Sequence, residues 1–546
     1  MALKNRDAYK ALEDIVSSGN ISEHPAVLDS YAYQWGAELF TNTPYLPRAG
    51  AVVLPGGTQE VQSIVRVCNK YHVRYKAFST GWGFYSALGL DDTAIQMDLR
   101  RMNRIIEINE KSMYAVVEPY VTSAQLQAEL MKKGFNLNII GAGANCTAFP
   151  LAAHQGLGHT SLSTSYGPRN LLGVEWVLPD GDILKIGSVG SGAGWFCGDG
   201  PGPSLRGILR GPQTVMGGLG VFTKAATKIY PWPGPTQPEI EGKSPYYRFK
   251  ERPKNMDLHY VVFPDWDLFI EAIIEIAQAE ICFAQTRLAP PMLAQGLSGN
   301  NDEGADLLVK LQAQIKERPG FCLIMTGNSE AELKYREKVL RHIVAEKKGS
   351  FIDYFENEDV KREYIWAITR STIAIREVFR GTGRFLGSIG DSSMFLTSFK
   401  MMLAGMPLKR QFQEKGKIRG DEGLDCIWGT PIEFGHNGHA ESLVQIHPTG
   451  ESWGAVMEYS SRCEDMAIEA KYPAPVTVWG DMAHDKWGPH LCNYHLWLRK
   501  IKKAFDPKGV SEPAMYISAK DVPLTPPSPP RGEGKGEGKK EVENEW

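Results

Sequence analysis

Two histidines and a glutamate fall within one short stretch, FGHNGHAESLVQIHP (434–448), as His436, His439 and Glu441. Imidazole nitrogen with carboxylate oxygen suits a divalent ion such as zinc or manganese. Without an ion, the same residues serve as hydrogen-bonding groups or as a general base active near neutral pH. A second stretch, GDMAHDKWGPH (480–490), adds Asp481, His484, Asp485 and His490, and His484 again reads either as a base or as a surface residue. Arg370, Arg376, Arg380 and Arg384 cluster in ITRSTIAIREVFRGTGRF. Guanidinium forks match the carboxylate of an anionic substrate, and the competing reading is a solvated face. A third chemistry belongs to STGWGFYS (79–86). Its glycines admit backbone amides to a ligand and its hydroxyls add donors, so it wraps a phosphate or makes a plain turn. No GxGxxG opens a helix and no GxxxxGK[ST] occurs, so neither a Rossmann site nor a P-loop is supported.

Regular elements must carry these groups. GAVVLPGG (50–57) reads as a short strand, followed by a helix that Thr58 caps and that turns Val61, Ile64, Val65 and Cys68 to one side. VRYKAF is a second strand, which puts the glycine loop at the C-terminal end of a strand in a βαβ unit, where α/β folds place ligands. AIQMDL and IIEINEKSMYAVVEP supply further strands, the latter turning at Asn109 to Ser112. Thr122 and Gln125 form a capping box for a helix that stops at Gly134. LLGVEWVLPDGDILKIG is a hairpin turned at Asp180-Gly181. The run from Pro231 to Pro238 marks a boundary, and residues 239–480 mix amphipathic helices with the strands HYVVFP, FCLIMTG and SWGAVMEY. The tail 522–546 has almost no apolar side chains and is expected to be disordered.

At 546 residues the chain exceeds one hydrophobic core. Its 60 basic and 63 acidic residues nearly cancel, so nothing favours nucleic acid or an anionic membrane. No stretch is long and apolar enough for a membrane helix and the N-terminus is a charged amphipathic helix, so a cytoplasmic protein without an integral membrane segment is expected. Eight scattered cysteines without a CxxC pair argue against an iron-sulfur cluster or zinc ribbon, leaving redox chemistry to an organic cofactor or a partner's metal.

The order of AVVLPGGTQEVQSIVRVCNKY, MDLRRMNRIIEI, AVVEPYVTSAQL, YGPRNLLGVEWVLPDGDIL, GGLGVFTKAATKIYP and IKKAFDPKGV resembles the flavoprotein family of vanillyl-alcohol oxidase and p-cresol methylhydroxylase. Within it, the sequence is similar to the branch of the glycolate oxidase FAD subunit and the D-lactate dehydrogenases. The resemblance implies an α+β fold in two parts. An N-terminal helical segment (1–45) and an FAD-binding domain (46–235) take back a C-terminal segment (481–521), while 236–480 form an α+β cap over the substrate. It implies FAD along the loop of Ser79, Thr80, Gly81, Trp82, Gly83, Phe84, Tyr85 and Ser86. Ala148, Phe149, Pro150, Gly156, Gly158 and His159 line the cofactor next, and Gly220 with Val221 supply backbone groups.

The same resemblance places His436, His439 and His484 at the substrate and His436, His439 and Glu441 on a divalent metal, and Arg380 of the arginine cluster is the candidate anion anchor. It implies a dehydrogenase taking hydride from a hydroxylated small molecule, by resemblance a D-2-hydroxy acid, and passing electrons to an electron-transfer flavoprotein or iron-sulfur subunit. Oxidation of a para-substituted phenol or aromatic alcohol, favoured by Trp82, Phe84, Tyr85, Tyr166, Trp366 and Trp428, is the alternative within enzymes. A flavin electron-transfer subunit is the alternative outside them. Phe78-Ser79 replaces a Pro-Arg of many relatives, Met216 a glutamate, His439 an aspartate and Leu443 a second histidine. The loop has no histidine, so a covalent histidyl link is not supported there.

Overall fold

The computed structural model describes residues 2–520 apart from 35, 42, 82–88, 142, 150–155, 188–191, 193, 196–203, 212–214, 244–245, 373–384, 422–425, 448, 477 and 513, with backbone alone at 39–40 and 385–389. The expected tail therefore lies outside the described residues.

The first sheet holds β1 (Ile21–Ser22), β2 (Ala51–Val53), β3 (Arg74–Phe78) and β4 (Ala94–Asp98) in the order β1-β2-β4-β3. β4 is parallel to both β2 and β3. Every residue of β2 and β4 is buried, as expected for parallel strands covered on both faces. Helices α1 (Arg6–Val16) and α2 (Thr58–Tyr71) follow their apolar spacing, α2 burying Val61, Ile64, Val65 and Cys68. The expected Thr58 cap is corrected: Gly57 is the N-cap, and Thr58 is the first helical residue. Its hydroxyl is turned to the buried Glu175 carboxylate, to which it donates a charge-assisted bond at 2.6 Å, and Glu60 accepts from the Gly56 amide at 2.7 Å.

The second sheet, β5 (Ile105–Asn109), β6 (Tyr114–Val117), β7 (Leu171–Val177), β8 (Ile183–Ile186) and β9 (Val221–Lys228), is antiparallel in the order β5-β6-β9-β7-β8. α2 touches both sheets. The Asp180-Gly181 hairpin joins β7 to β8, and Gly181 at φ +93 adopts the left-handed backbone of that turn. α3 (Ser123–Met131) starts at the reciprocal Thr122–Gln125 capping box, and Gly134 lies in the turn after it.

Beyond Pro238, β10 (Met256–Val262), β11 (Cys282–Thr286), β12 (Gly320–Thr326) and β13 (Ser350–Phe351) form an antiparallel sheet in the order β11-β12-β10-β13, packed by α4 (Trp266–Gln278) and α5 (Glu330–Glu346). β14 (Phe385–Asp391), β15 (Ile427–Ile432) and β16 (Asn437–Gln445) form a three-stranded sheet with β16 central, against α6 (Phe395–Glu414). The Arg287 amide donates to the Gly429 carbonyl at 2.7 Å and joins the two sheets. SWGAVMEY is not a strand: it lies in α7 (Gly450–Glu469), where Trp453, Val456, Tyr459 and Cys463 are buried at helical spacing. Its aromatic and β-branched content resembles a strand, but burial follows period 3.6.

The chain closes with α8 (Gly480–Trp487) and α9 (Tyr494–Phe505). The segment after α9 returns to β3: the Tyr75 amide donates to Val510 at 2.9 Å and the Glu512 amide to Tyr75 at 3.0 Å. Glu512 pairs with Lys76 at 2.7 Å, both almost wholly buried. Lys502 Nζ donates to Asp506 and to the carbonyls of Gly218 and Ser511, each at 2.7 Å.

Candidate functional site

The C-terminal ends of β3 and β4 carry one rim of the site. Gly81 turns at φ +70 over the ring of Phe78, which a side chain there would strike at 2.4 Å. Thr80 Oγ1 accepts from the Thr147 amide at 3.1 Å, so the loop at Ser79, Thr80 and Gly81 meets the segment of Ala148 and Phe149. The side chains of Ala148 and Phe149 belong to the core, leaving backbone to face a ligand. A Cβ at Gly158 would come within 1.8 Å of the Ile139 carbonyl, so only glycine allows that contact. Gly156, at φ +62, accepts from the Gly167 amide. Trp82, Gly83, Phe84, Tyr85, Ser86, Pro150 and Arg380 lie outside the described residues.

The expected amide of Gly220 is otherwise engaged: it donates to Ser511 Oγ at 3.0 Å, and Val221 pairs with Val177 in the β9–β7 ladder. That amide therefore serves the C-terminal return, because Gly220 lets the backbone pass the Val177 carbonyl, 2.2 Å from where a Cβ would sit.

His159 contributes more than the backbone expected of it. It is 3% exposed, neither ring nitrogen has a hydrogen-bond partner, and burial pushes its imidazole down to about 4. It is therefore neutral at pH 7, one nitrogen a donor and the other an acceptor. Its ring meets Trp428 edge-on at 5.9 Å, and Trp428 in turn meets His439 at 5.1 Å.

Strand register explains that alignment. Thr430 pairs with His439 and Trp428 with Glu441, so alternation places all four on one face of the β15–β16 pair. His439 is 1% exposed; its Nδ1 lies 2.8 Å from Ser392 Oγ and its Nε2 3.7 Å from Glu441 Oε2. Ser392 comes from the end of β14, 47 residues away, and no sequence signal marked it. Gly390 keeps the space open, since a Cβ there would lie 2.9 Å from Glu441 and 3.3 Å from His439.

The structure separates the other expected ligands. His436 is exposed on the turn before β16, and the metal trio of His436, His439 and Glu441 does not converge among the described residues. The physical reason is that His436 precedes the strand whose alternation aligns the other two. His484 lies on α8 and lines a cavity of about 340 Å³ with Met216, Trp487, His495 and Tyr516. Burial, reinforced by Arg499, pushes His484 down to about 4. The segment Ala474–Val478 links the two places, Ala474, Pro475 and Val478 lining the cavity while the Val476 amide donates to Gly390 at 2.7 Å. Asp481 and Asp485 hold Arg499 at 2.8 and 2.6 Å, and His490 bonds the Tyr472 carbonyl at 2.9 Å. Arg370 packs over Trp366 at 5.4 Å.

Residues 49–187 match the family described as an FAD binding domain. The chain is 30% identical over 203 residues to 1'-carboxy-chondrochloren decarboxylase of Chondromyces crocatus, covering 36% of this chain and 35% of that protein. It is 27% identical over 320 residues to a probable mitochondrial D-lactate dehydrogenase of Danio rerio, covering 58% and 56%. It is 28% identical over 192 residues to the flavoprotein subunit of 4-cresol dehydrogenase (hydroxylating) of Pseudomonas putida, covering 34% and 35%. The matches thus span about a third to a half of these relatives. The fold matches that of p-cresol methylhydroxylase with a TM-score of 0.71 at 16% identity, over 92% of this chain and 95% of that one. The backbone-lined rim, the glycine contact at Gly158 and the unpartnered buried His159 fit a dinucleotide cofactor with its polar ring system. Residues 49–187 thus form an FAD binding domain, and the chain as a whole has the fold of p-cresol methylhydroxylase and 4-ethylphenol oxidase.

Proposed function

We propose that the protein is an FAD-dependent oxidoreductase that oxidises a para-substituted phenol or aromatic alcohol and passes the electrons to a protein acceptor. The observation that carries the substrate class is Trp428, buried between His159 and His439 on a face where no metal trio assembles among the described residues. Its indole offers a planar apolar wall for an aromatic ring. When bound, FAD supplies a two-electron acceptor. Ser79, Thr80 and Gly81, with the backbone near Thr147 and Gly158, would hold it. His439, steadied by Ser392 and beside Glu441, takes the substrate hydroxyl proton. His159, neutral at pH 7, hydrogen-bonds without adding charge, and the closed packing around Trp428 excludes water. The 4-cresol-oxidising relative is a flavoprotein subunit, which supports a protein partner as acceptor.

A second reading, oxidation of a D-2-hydroxy acid, is favoured by the D-lactate dehydrogenase match, which covers 58% of this chain. The visible spectrum of the anaerobic protein, recorded before and after adding 4-cresol or D-lactate, separates the two. Bleaching of the flavin by 4-cresol alone supports the proposal, and bleaching by D-lactate alone replaces it with the second reading. A flavin that neither compound reduces points to an electron-transfer subunit.

A further inference from the structure

On the far side of the cap sheet, the alternation of β10 sends Leu258, Tyr260 and Val262 into one apolar cluster and Asp257, His259 and Val261 to the opposite face. α5 covers that face with Leu333, Leu340, Ile343 and Val344, and Glu337 comes down from the same helix beside the two polar residues. One ligand atom each from Asp257, His259 and Glu337 lies within 4.8 Å of the others. His259 is 2% exposed, and its Nε2 makes no hydrogen bond. That nitrogen lies 3.8 Å from Asp257 Oδ2 and 4.0 Å from Glu337 Oε1.

The opposite side of the imidazole sets its orientation. Nδ1 lies 2.8 Å from Glu356 Oε1, and a carboxylate can only accept, so Nδ1 carries the proton. Nε2, with no hydrogen bond of its own, then faces two carboxylate oxygens, the place where a cation would sit. Asp257 Oδ1 is held by Lys361 Nζ and by the Leu258 amide, each at 2.8 Å, which leaves Oδ2 for the cluster. Arg252 binds Glu358 with two guanidinium nitrogens and reaches Asp257 only at 3.5 Å. Lys361 pairs with two of the three carboxylates, Asp257 and Glu356, at 2.8 and 2.9 Å, and a divalent ion would offset the remaining negative charge.

We propose that Asp257, His259 and Glu337 form a zinc-type divalent cation site in the cap, bracing β10 against α5, with Glu356 as the positioning residue that fixes the imidazole. One nitrogen and two oxygens suit a borderline ion, and a carboxylate behind the ligating histidine is the usual support of such sites. Bonds of about 2.0–2.2 Å separate two ligands on one ion by roughly 3–3.6 Å, so the observed spacings need only a small rotation of Glu337. Three protein ligands leave a position for water. The site shares no residue with the pair at His439 and Glu441.

The test is equilibrium dialysis of the chelator-treated, full-length flavoprotein against zinc ion, beside Glu337→Gln and Glu356→Gln, whose side chains are 24% and 37% exposed. The expected result is one zinc per chain in the wild type, with binding weakened roughly 10- to 100-fold in each variant while flavin content is unchanged. Binding equal in wild type and variants, as surface histidines or the exposed Cys492 would give, overturns the proposal; so does no binding, which leaves an ion-pair network alone. Should a variant lose its flavin, cobalt(II) added to the wild type decides. Ligand-field bands beyond the flavin absorption that zinc abolishes support the site, and their absence overturns it.

Discussion

The C-terminal return and the cap both pack against the FAD-binding half, but through different forces. The return is held by charges out of water: Lys76 with Glu512, and Lys502 with Asp506, are all 6% exposed or less. Glu512 also accepts from the amides of Met515 and Tyr516 at 2.6 and 2.7 Å. The cap is held mostly by single neutral hydrogen bonds, from Gln127 to the Thr369 carbonyl, Ser163 to Phe283 and Ser371 to Ile140. Its ion pair, Arg169 with Glu433, is about one third exposed on both sides. Buried pairs are costly to break because the survivor stays charged in a poor solvent, whereas half-exposed pairs fall back on water. The return is therefore a fixed frame for the cofactor, and the cap is the part that can adjust around a substrate.

The sharpest way to break this contrast is Glu512→Ala, which takes the carboxylate away from the buried Lys76 and from the Met515 and Tyr516 amides. It should cost about 3–5 kcal/mol and release flavin, read by denaturant unfolding followed by flavin fluorescence. Acid comes next and acts where His159 of the FAD-binding half meets Trp428 of the cap. Below about pH 6.5 the unfolded chain takes up a proton that His159 in the folded protein refuses until about pH 4. The His159 contribution to stability should fall by roughly 3 kcal/mol as pH drops through that window, beside a separate loss from His484, and His159→Asn should remove the His159 part of the slope. Gly158→Ala drives a methyl into the Ile139 carbonyl and should cost about 1–3 kcal/mol, with weaker flavin retention in thermal melts. Glu433→Gln is the mildest. It should cost at most about 1 kcal/mol while changing substrate reduction of the flavin more than stability, as an adjustable junction requires. A larger stability loss there would erase the contrast.

Much of the frame was legible before any coordinates. The apolar spacing of α2, the Thr122–Gln125 box and the Asp180-Gly181 turn are local, and they form as local chemistry dictates. The Thr58 cap failed because Glu175, 117 residues away, captured its hydroxyl. SWGAVMEY failed because its composition is ambiguous and only burial chose the helical period. In the site, the small residues near Gly158 were visible, but the isolation of the His159 ring was not.

By itself the sequence determined a backbone open to close approach around Gly81 and Gly158, because glycines and small residues permit it whatever surrounds them. That His439 and Glu441 share a face follows from alternation only once Asn437–Gln445 pairs as a strand, which no sequence signal had marked. Tertiary structure alone decided that His436 stands outside that face, that Ser392 holds His439, that Trp428 lies between two imidazoles, and that Asp257, His259 and Glu337 meet. Each depends on which strand pairs with which and which helix covers them, and strand pairing and helix covering are settled by burial between residues far apart in the chain.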